Sequence, residues 1–339
     1  MSQSILSIKT RNNSLAILNS IAEAVGNTPL VRLSRLAADH KHDLLAKCEF
    51  MNPCGSVKDR IAIHMIEKAE QDGRLRPGQA IVEATGGNTG IGLAMAAGLK
   101  GHELLCVQTE KVGKEKVTLQ QLYGAKTLVV PGGKKISDPE HFINKARRIA
   151  EESGAWFVSQ FDNKDNLEAH YKYTGPELWQ QTEGQIDALV AGIGTGGTLC
   201  GAGKYLKEQN PEIKLILADP AGSMLADWQA KQEPHPDSYL VEGIGGDFVP
   251  GIVDLESIDY SFKISDQISM QTSHDLLRKE AIFASGSAGC IVAAALEYCR
   301  QLPGERKTVV AILPGTGRLY MSTVFNEEWL ASKNIEIST

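Results

Sequence analysis

The stretch Gly192–Gly201, GIGTGGTLCG, joins an apolar run to the start of a predicted helix. The preceding run, Ile186–Ala191, has the length and composition of a buried strand. Glycines at 192, 194 and 197 satisfy G-x-G-x-x-G, and Asp219 ends the next apolar run about twenty residues further on. This is the outline of a dinucleotide site, but a glycine turn before a helix can hold other phosphates too.

Apolar runs of strand length alternate with helical segments along the chain. Most runs are continuous rather than alternating, which favours strands buried on both faces of a parallel sheet. The predicted strands are Leu44–Cys48, Ala80–Glu83, Leu104–Gln108, Thr127–Val130, Trp156–Ser159, Ile186–Ala191, Leu215–Ala218 and Thr308–Leu313. The alternation predicts an α/β protein whose ligands bind at the carboxyl ends of the strands.

Two helices are marked clearly by their ends. Val57–Asp72 has apolar residues on one face, and Gly73 stops it. A second helix is predicted to begin at Asp138 as N-cap with Pro139 in the first turn, and to end at Gly154.

Composition limits the classes of function. Of the 339 residues, 42% are hydrophobic and 22% are charged, as in ordinary globular proteins. The formal net charge of −6 argues against nucleic-acid binding, which depends on neutralising phosphates. No apolar run approaches the roughly 20 residues of a membrane span, and Met1–Ser20 lacks the order of a signal peptide. We therefore expect neither a nucleic-acid nor a membrane partner.

The cysteines give no sign of a disulfide or metal framework. The six of them, at positions 48, 54, 106, 200, 290 and 299, form no C-x-x-C pair and no zinc spacing with the histidines. We expect reduced, buried cysteines, a cytoplasmic location and no metal site.

Two more predicted strands end in small residues. Thr85–Gly90, TGGNTG, precedes a helix whose N-terminus offers free N–H groups, and its side chains suit a carboxylate or another small anion. Leu313–Arg318, LPGTGR, places Thr316 where its hydroxyl can cap a helix or bond a ligand heteroatom. Each turn alone is as consistent with a structural role as with a functional one.

The segment Asn52–Arg60, NPCGSVKDR, places Lys58 in the first turn of a helix, with Ser56 as its N-cap. One explanation is a solvated lysine. A cation at that position is unfavourable, however, because it meets the positive end of the helix dipole. The other explanation is an amine of depressed pKa, which a Schiff-base lysine needs because only the neutral amine attacks an aldehyde.

In order and spacing, the four segments together resemble the fold-type II pyridoxal-phosphate enzymes, specifically the cysteine synthase and cystathionine β-synthase family. The resemblance extends from Val25–Leu30, VGNTPL, to Trp329. NPCGSVKDR resembles the lysine segment, TGGNTG the substrate-carboxylate loop, and GTGGT (194–198) the phosphate loop. The resemblance implies a tryptophan-synthase-β-like fold of two three-layer α/β domains with mostly parallel sheets.

The resemblance implies pyridoxal 5′-phosphate as the cofactor, so the glycine turn would hold one phosphate monoester rather than a pyrophosphate. Lys58 would be the Schiff-base and catalytic lysine, Asn88 would contact the ring 3′-oxygen, and Thr316 would meet the pyridine nitrogen. The predicted phosphate residues are Gly194, Thr195, Gly196, Gly197 and Thr198. Asp219 then has no ribose to bind, and we expect it to cap a strand end.

The reaction that the resemblance implies is β-replacement on serine or an O-activated serine, in which a thiol takes the place of a leaving group on Cβ. Lys58 would remove the Cα proton. The predicted substrate-binding residues are Thr85, Gly86, Asn88, Thr89, Gln160 and Gly245. Without the resemblance, Gln160 would pass for a surface polar residue.

Several segments favour cystathionine synthesis over cysteine synthesis. VEGIGGDFVP (241–250), AHYKYT (169–174) and SGSAG (285–289) are similar to segments of cystathionine β-synthases, and Asp247 replaces a glycine more usual in cysteine synthases. We expect neither haem nor adenosylmethionine control, since the residues before Val25 include no Cys or His and the chain stops at Thr339.

Two departures keep alternatives open. Gly86 replaces the serine usual in TSGNTG, and Gly246 stands where cystathionine β-synthases often carry an aromatic residue. The first alternative is a related β-replacing or eliminating enzyme that uses an amine nucleophile, making a diaminopropionate precursor, or takes cysteine as substrate. The others are a pyridoxal-phosphate-binding regulator without catalysis and an NAD dehydrogenase.

The resemblance also predicts the domain organisation. Residues 47–160 would form a smaller domain that closes on substrate, and residues 1–46 with 161–339 a larger domain that binds the cofactor phosphate. A homodimer acting on small amino-acid substrates is expected.

Overall fold

The computed structural model describes residues 17–85, 87–110 and 112–338, and strands and helices alternate through them as expected. The strands are β1 Leu30–Arg32, β2 Asp43–Cys48, β3 Ile81–Ala84, β4 Leu104–Thr109, β5 Lys126–Val130, β6 Trp156–Phe157, β7 Ala188–Ala191, β8 Lys214–Pro220, β9 Tyr260–Ile264 and β10 Thr308–Leu313. The helices are α1 Lys58–Gln71, α2 Asn88–Lys100, α3 Lys114–Leu122, α4 Phe142–Ser153, α5 Lys164–Ala169, α6 Gly175–Gln181, α7 Gly203–Gln209, α8 Leu225–Gln229, α9 Asp266–Glu280, α10 Gly286–Gln301 and α11 Glu327–Ser332.

The described strands form two sheets. A six-stranded sheet has the order β1-β2-β10-β7-β8-β9, and a four-stranded sheet has the order β5-β4-β3-β6. Neighbouring strands are parallel except that β1 pairs antiparallel with β2. This confirms an α/β fold with mostly parallel sheets. The smaller sheet lies between residues 81 and 157, and the domain division at 47–160 stays a prediction.

Both sheets are covered by helices on both faces, which explains the continuous apolar runs. In β7, Ala188 and Val190 pack in the core that contains α9 and α10, while Leu189 and Ala191 pack in the core that contains residues of α6 and α7. In β3, Ile81 and Val82 likewise enter different cores. The result is two three-layer units.

The two strands that sequence patterns missed lie at the edges of a sheet. The strands β1 and β9 form the two edges of the six-stranded sheet and are only partly buried, so neither is continuously apolar.

Helix α4 begins at Phe142 instead of after Asp138, because the Asp138 carboxylate accepts from the N–H of Glu140 in a local turn. Its end at Gly154, which has φ +69, is as expected.

The described residues contain no helix of the length and apolar character needed to cross a bilayer. All six cysteines are free thiols buried in the protein. Across residues 17–85, 87–110 and 112–338, no group of three or more His, Cys, Asp or Glu side chains could hold a metal ion.

Candidate active site

A cavity of about 280 Å³ lies where the carboxyl ends of strands from both sheets meet. Its wall includes Thr85 after β3, Gln160 after β6, Gly192 after β7 and Pro314 after β10. This is the edge at which α/β sheets bind ligands. Lys58, at the start of α1, lies on the same wall, so all four segments singled out in the sequence reach one cavity.

The lysine segment is held against the turn that follows β10. The N–H of Val57 donates to the carbonyl of Pro314 (2.8 Å), and the N–H of Thr316 donates to the carbonyl of Gly55 (2.9 Å). Gly55 has φ +83, and a Cβ there would lie 2.9 Å from Cγ2 of Thr316. The glycine therefore allows the close approach that fixes the start of α1.

Lys58 has an amine without an acidic partner. Its backbone N–H donates to Oγ of Ser56 (3.2 Å), and no carboxylate of the described residues lies within ion-pair distance of its Nζ. Burial lowers the pKa of the amine to about 8, so its neutral form is far more populated near neutral pH than that of an ordinary lysine. An amine in this state is a nucleophile for an aldehyde.

The loop at Thr85–Gly90 presents an unused hydroxyl to the cavity. Oγ1 of Thr85 accepts from the N–H groups of Gly87 and Gly90, both at 3.2 Å. Because both bonds use lone pairs of the oxygen, its O–H remains available to donate to an anion. Gly86 lies outside the described residues, and its predicted substrate contact stays a prediction.

Gln160 and Thr89 form a linked pair behind this loop. The Thr89 hydroxyl donates to Oε1 of Gln160 (2.7 Å), and Nε2 of Gln160 donates to the carbonyl of Ala84 (2.9 Å). Gln160 is buried and lines the cavity, and its second Nε2 hydrogen is available for a ligand. The structure therefore brings Gln160 to the cavity, where the sequence alone suggested a surface position.

The glycine turn at 194–198 requires its glycines. Gly196 has φ +90, and a Cβ there would overlap Cγ2 of Val253. A Cβ at Gly197 would overlap Oδ1 of Asn166, so Gly197 allows close packing although it does not line the cavity. A π-helical segment, Gly197–Ala202, begins here and leads into α7. Its first N–H groups lack helical partners and can bind an anion.

Both hydroxyls of this turn are oriented by buried side chains that the sequence analysis missed. Nδ2 of Asn166 donates to Oγ1 of Thr195 (2.9 Å), and Oγ1 of Thr198 lies 3.2 Å from Nε2 of His170. Burial lowers the pKa of His170 well below its ordinary value, so the imidazole is neutral. The only sequence signal was the position of His170 in the AHYKYT segment.

The predicted partner of the pyridine nitrogen, Thr316, lies beside the cavity without lining it, and its Oγ1 accepts from the N–H of Arg318 (3.3 Å). Ser287, in the first turn of α10, does line the cavity, and its Oγ forms a hydrogen bond with Oγ of Ser285 (2.9 Å). The role of Thr316 stays a prediction, and Ser287 is a further hydroxyl on the wall.

Asp219 lies at the end of β8, away from the cavity wall. Its Oδ2 accepts from the N–H of Ala226 (2.8 Å), so it ties the strand end to the start of α8.

The loop 241–250 closes the opposite side of the cavity. Gly245 lines the wall with φ +83 and donates its N–H to the carbonyl of Ile193 (2.8 Å), which joins this loop to the glycine turn. Gly246 and Asp247 do not line the cavity. Lys116, Glu242 and Tyr320 form a further part of the wall that sequence patterns did not indicate.

The polar groups of the cavity fit pyridoxal phosphate. Lys58 offers an unpaired amine to the aldehyde, and the turn at 194–198 offers N–H groups and two hydroxyls to the phosphate. Asn88 has a buried Oδ1 with no hydrogen-bond partner among the described residues. The oxygen and nitrogen of an amide can be exchanged by a flip. After such a flip, Nδ2 of Asn88 would occupy this unsatisfied position and could donate to an oxygen on the cofactor ring.

Comparisons with known proteins agree with this fit. Residues 21–315 match the family described as pyridoxal-phosphate dependent enzyme. A cystathionine β-synthase of Apis mellifera is 41% identical over 96% of this chain and 65% of its own length, and a cysteine synthase of Staphylococcus aureus is 40% identical over 90% of this chain and 96% of its own. The chain thus spans less than two thirds of the cystathionine β-synthase.

A solved structure is similar over nearly the whole chain. It is a mutant of O-ureido-L-serine synthase with O-ureido-L-serine bound, 34% identical, with a TM-score of 0.84. The similarity covers 95% of this chain and 100% of that one.

Proposed function

The chain belongs to the family of pyridoxal-phosphate dependent enzymes, and we propose that it catalyses β-replacement on serine or an O-activated serine with a thiol, making cystathionine or cysteine. One observation carries the proposal: a single cavity combines the unpaired amine of Lys58, the anion-binding loop at Thr85–Gly90 and the glycine turn at 194–198. Relatives named cystathionine β-synthase and cysteine synthase support either product.

Lys58 has the central chemical role in this proposal. Bound pyridoxal phosphate would supply an aldehyde for the lysine and a conjugated ring that accepts the electron pair released at Cα. The Nζ of Lys58, with its pKa lowered to about 8 by burial, would take the Cα proton and hold it during loss of the leaving group. The absence of a carboxylate partner among the described residues keeps this amine free to act as a base.

The substrate carboxylate would bind at the N-terminus of α2. The hydroxyl of Thr85 and the second Nε2 hydrogen of Gln160 are available donors there, while Thr89 holds Gln160 in place. The positive end of the helix dipole adds to their attraction for an anion. We propose that residues 47–160 form the domain that closes over this carboxylate and excludes water.

A nucleophile other than a thiol is the second candidate. The structural relative is named for O-ureido-L-serine, a serine derivative, which supports a wider choice of groups at Cβ. An amine nucleophile giving a diaminopropionate precursor, or cysteine as the substrate, belongs to this candidate. A pyridoxal-phosphate-binding regulator without catalysis is the non-enzyme alternative.

The test is one matrix of steady-state rates. Serine and O-acetylserine are each combined with sulfide, homocysteine, cysteine and an amino-acid amine. We expect turnover with at least one thiol and its loss in Lys58→Ala, whereas Lys135→Ala, at an exposed lysine, serves as the matched control. Turnover with amines alone would establish the second candidate, and cofactor binding without any turnover would establish the regulator.

We also propose that the protein acts as a homodimer in the cytoplasm. Leu99, Leu122 and Tyr123, at the C-terminal ends of α2 and α3, are 41%, 78% and 39% exposed, which suits contact with a second copy. Buried free cysteines suit a reducing compartment. Light scattering should give twice the monomer mass for the native chain and the monomer mass for Leu122→Glu, with Ile268→Glu, another exposed position, remaining dimeric.

A further inference from the structure

Lys116 is a buried cation on the cavity wall with no role in the chemistry described above. It is in the first turn of α3, and its side chain is 2% exposed. Its Nζ lies 2.5 Å from Oε2 of Glu242 and 3.9 Å from the centroid of the Tyr320 ring. Lys116, Glu242 and Tyr320 all line the cavity.

The position of Lys116 is not one that stability favours. A cation in the first turn meets the positive end of the helix dipole, and its burial removes it from water. Burial lowers the pKa of the amine, but Tyr320 and Glu242 outweigh it and the pKa is raised above its ordinary value. The buried ammonium group is therefore stabilised by an anion beside it.

Glu242 is held much less firmly than Lys116. Its side chain is 31% exposed, and its carboxylate has no hydrogen-bond partner other than Lys116 among the described residues. It precedes Gly243 and Gly245, which have φ +86 and +83, and a Cβ at Gly243 would meet nothing within 4 Å. The Glu242 side chain therefore already reaches water, whereas that of Lys116 does not.

The stem of Lys116 fixes where its charge lies. A Cβ at Gly87 would lie 2.6 Å from Cδ of Lys116, so the stem packs directly against the substrate loop. No hydrogen bond joins Lys116 to Thr85, Asn88 or Gln160 in the described structure. The ammonium group therefore lies beside the substrate loop and is paired with Glu242 rather than with a residue of that loop.

We propose that Lys116 binds a carboxylate of the second substrate, in exchange for the carboxylate of Glu242. The inference rests on the proposed function and narrows it, because the nucleophile must then carry a carboxylate, as an amino-acid thiol or amine does and sulfide does not. Replacing one carboxylate by another keeps the buried charge paired, while Glu242 regains full hydration outside. A nucleophile without a carboxylate leaves the ion pair between Lys116 and Glu242 intact.

The test compares two thiols that differ only in a carboxylate: homocysteine and 3-mercaptopropylamine. The readout is the ratio of their kcat/KM values with O-acetylserine as first substrate. Lys116→Gln should lower this ratio by about 10- to 100-fold, as expected for loss of a charge-assisted hydrogen bond. Glu242→Gln removes the competing charge and should raise it, and Lys114→Gln, at an exposed lysine of the same helix, should leave it as in the native enzyme.

The ratio separates binding from folding, because a damaged fold slows both thiols alike. If both variants keep the native ratio within about twofold, the inference is wrong. If the enzyme accepts only amines, an amino acid and its decarboxylated amine replace the two thiols in the same comparison. Failure of every nucleophile in the native enzyme would instead overturn the proposed function.

Discussion

The hydroxyl of Thr198 lies 3.2 Å from Nε2 of His170, and Nδ1 of the same imidazole lies 2.9 Å from the hydroxyl of Thr174. A neutral imidazole donates from one nitrogen and accepts at the other. If Nε2–H donates to Thr198, the O–H of Thr198 is free to donate to a phosphate oxygen. In the opposite tautomer Nε2 carries no hydrogen, and the O–H of Thr198 would donate to it. The hydroxyl would then present only lone pairs to the phosphate dianion.

His170 should therefore be a positioning residue for the cofactor phosphate. His170→Leu should weaken pyridoxal phosphate binding by about 5- to 30-fold, the effect of one hydrogen bond. His170→Gln, whose amide can reproduce the donor at Nε2, should restore most of the affinity. Fluorescence titration of the apoprotein would measure both dissociation constants.

Pyridoxal, which lacks the phosphate, is the control ligand for this experiment. Its affinity should differ little between the native protein and His170→Leu. An equal loss of affinity for pyridoxal and its phosphate would show that the histidine supports the fold rather than the phosphate site.

The sequence was most informative where backbone geometry demands a particular residue. The turn at 194–198 needs glycine because a Cβ at Gly196 would overlap Val253, and this need is visible as a motif. Lys58 could be singled out as a candidate because its place in a first helical turn is unfavourable for a cation, and the resemblance then predicted its role. These features are local, and a single sequence displays them.

Features that depend on the three-dimensional arrangement were not visible. His170 and Thr198 are 28 residues apart, and Lys116 and Glu242 are 126 apart, so no spacing rule connects them. Ser287 and Thr316 both follow small-residue turns near the cavity, and only the packing of α10 shows which hydroxyl lines the wall. Only the folded arrangement of α10 distinguishes these two hydroxyls.

The lowered pKa of Lys58 predicts a pH dependence for covalent attachment of the cofactor. Only the neutral amine attacks, so the attachment rate should rise about tenfold per pH unit and level off above pH about 8. With Nα-acetyl-lysine, whose free side-chain amine has a pKa of about 10.4, the rate should continue to rise above pH about 8. Borohydride reduction followed by mass spectrometry of the Lys58 peptide measures the rate. A protein rate that keeps pace with the free amine through pH 9 would contradict the prediction.

A buried ion network supports the helix that carries Lys58. Nε of Arg60 donates to Glu49 (2.7 Å), Nη1 of Arg60 donates to Glu177 (2.8 Å), and Nζ of Lys47 donates to Glu177 (2.8 Å). All four side chains are buried. Burial alone would raise the pKa of Glu177, but Arg60 and Lys47 hold it at about 2.

Arg60→Met should therefore lower the free energy of unfolding by about 3–5 kcal/mol, because it leaves two buried carboxylates short of a partner. Arg74→Met is the matched control, since Arg74 pairs with Asp72 and Asp165 at the surface and should cost about 0–1 kcal/mol. Urea unfolding measures both values. Similar losses in the two variants would contradict the assignment of Arg60 as the centre of the network.

Glu83 should make stability depend on pH in the direction opposite to that of a paired carboxylate. It is fully buried in β3, its Oε1 accepts from the N–H of Gln160 (3.3 Å), and its Oε2 has no hydrogen-bond partner among the described residues. Burial raises its pKa from 4.5 to about 8. As pH rises from about 4.5, the unfolded chain releases this proton while the folded chain keeps it. Ionisation therefore stabilises the unfolded state over a pH range in which the folded state stays protonated, and the free energy of unfolding falls.

The contribution of Glu83 to stability should thus be complete below pH 4.5 and decline until pH about 8, by on the order of 1.4 kcal/mol per pH unit. Glu83→Gln keeps the shape of the side chain and cannot ionise, so its free energy of unfolding should not show this decline. Its stability relative to the native protein should therefore increase steadily from pH 5 to 8. Urea unfolding at pH 5.5, 7 and 8.5 gives the difference, with Glu152→Gln at the surface as control. A difference that stays constant over this range would mean that Glu83 is ionised in the folded protein and that an unseen partner compensates its charge.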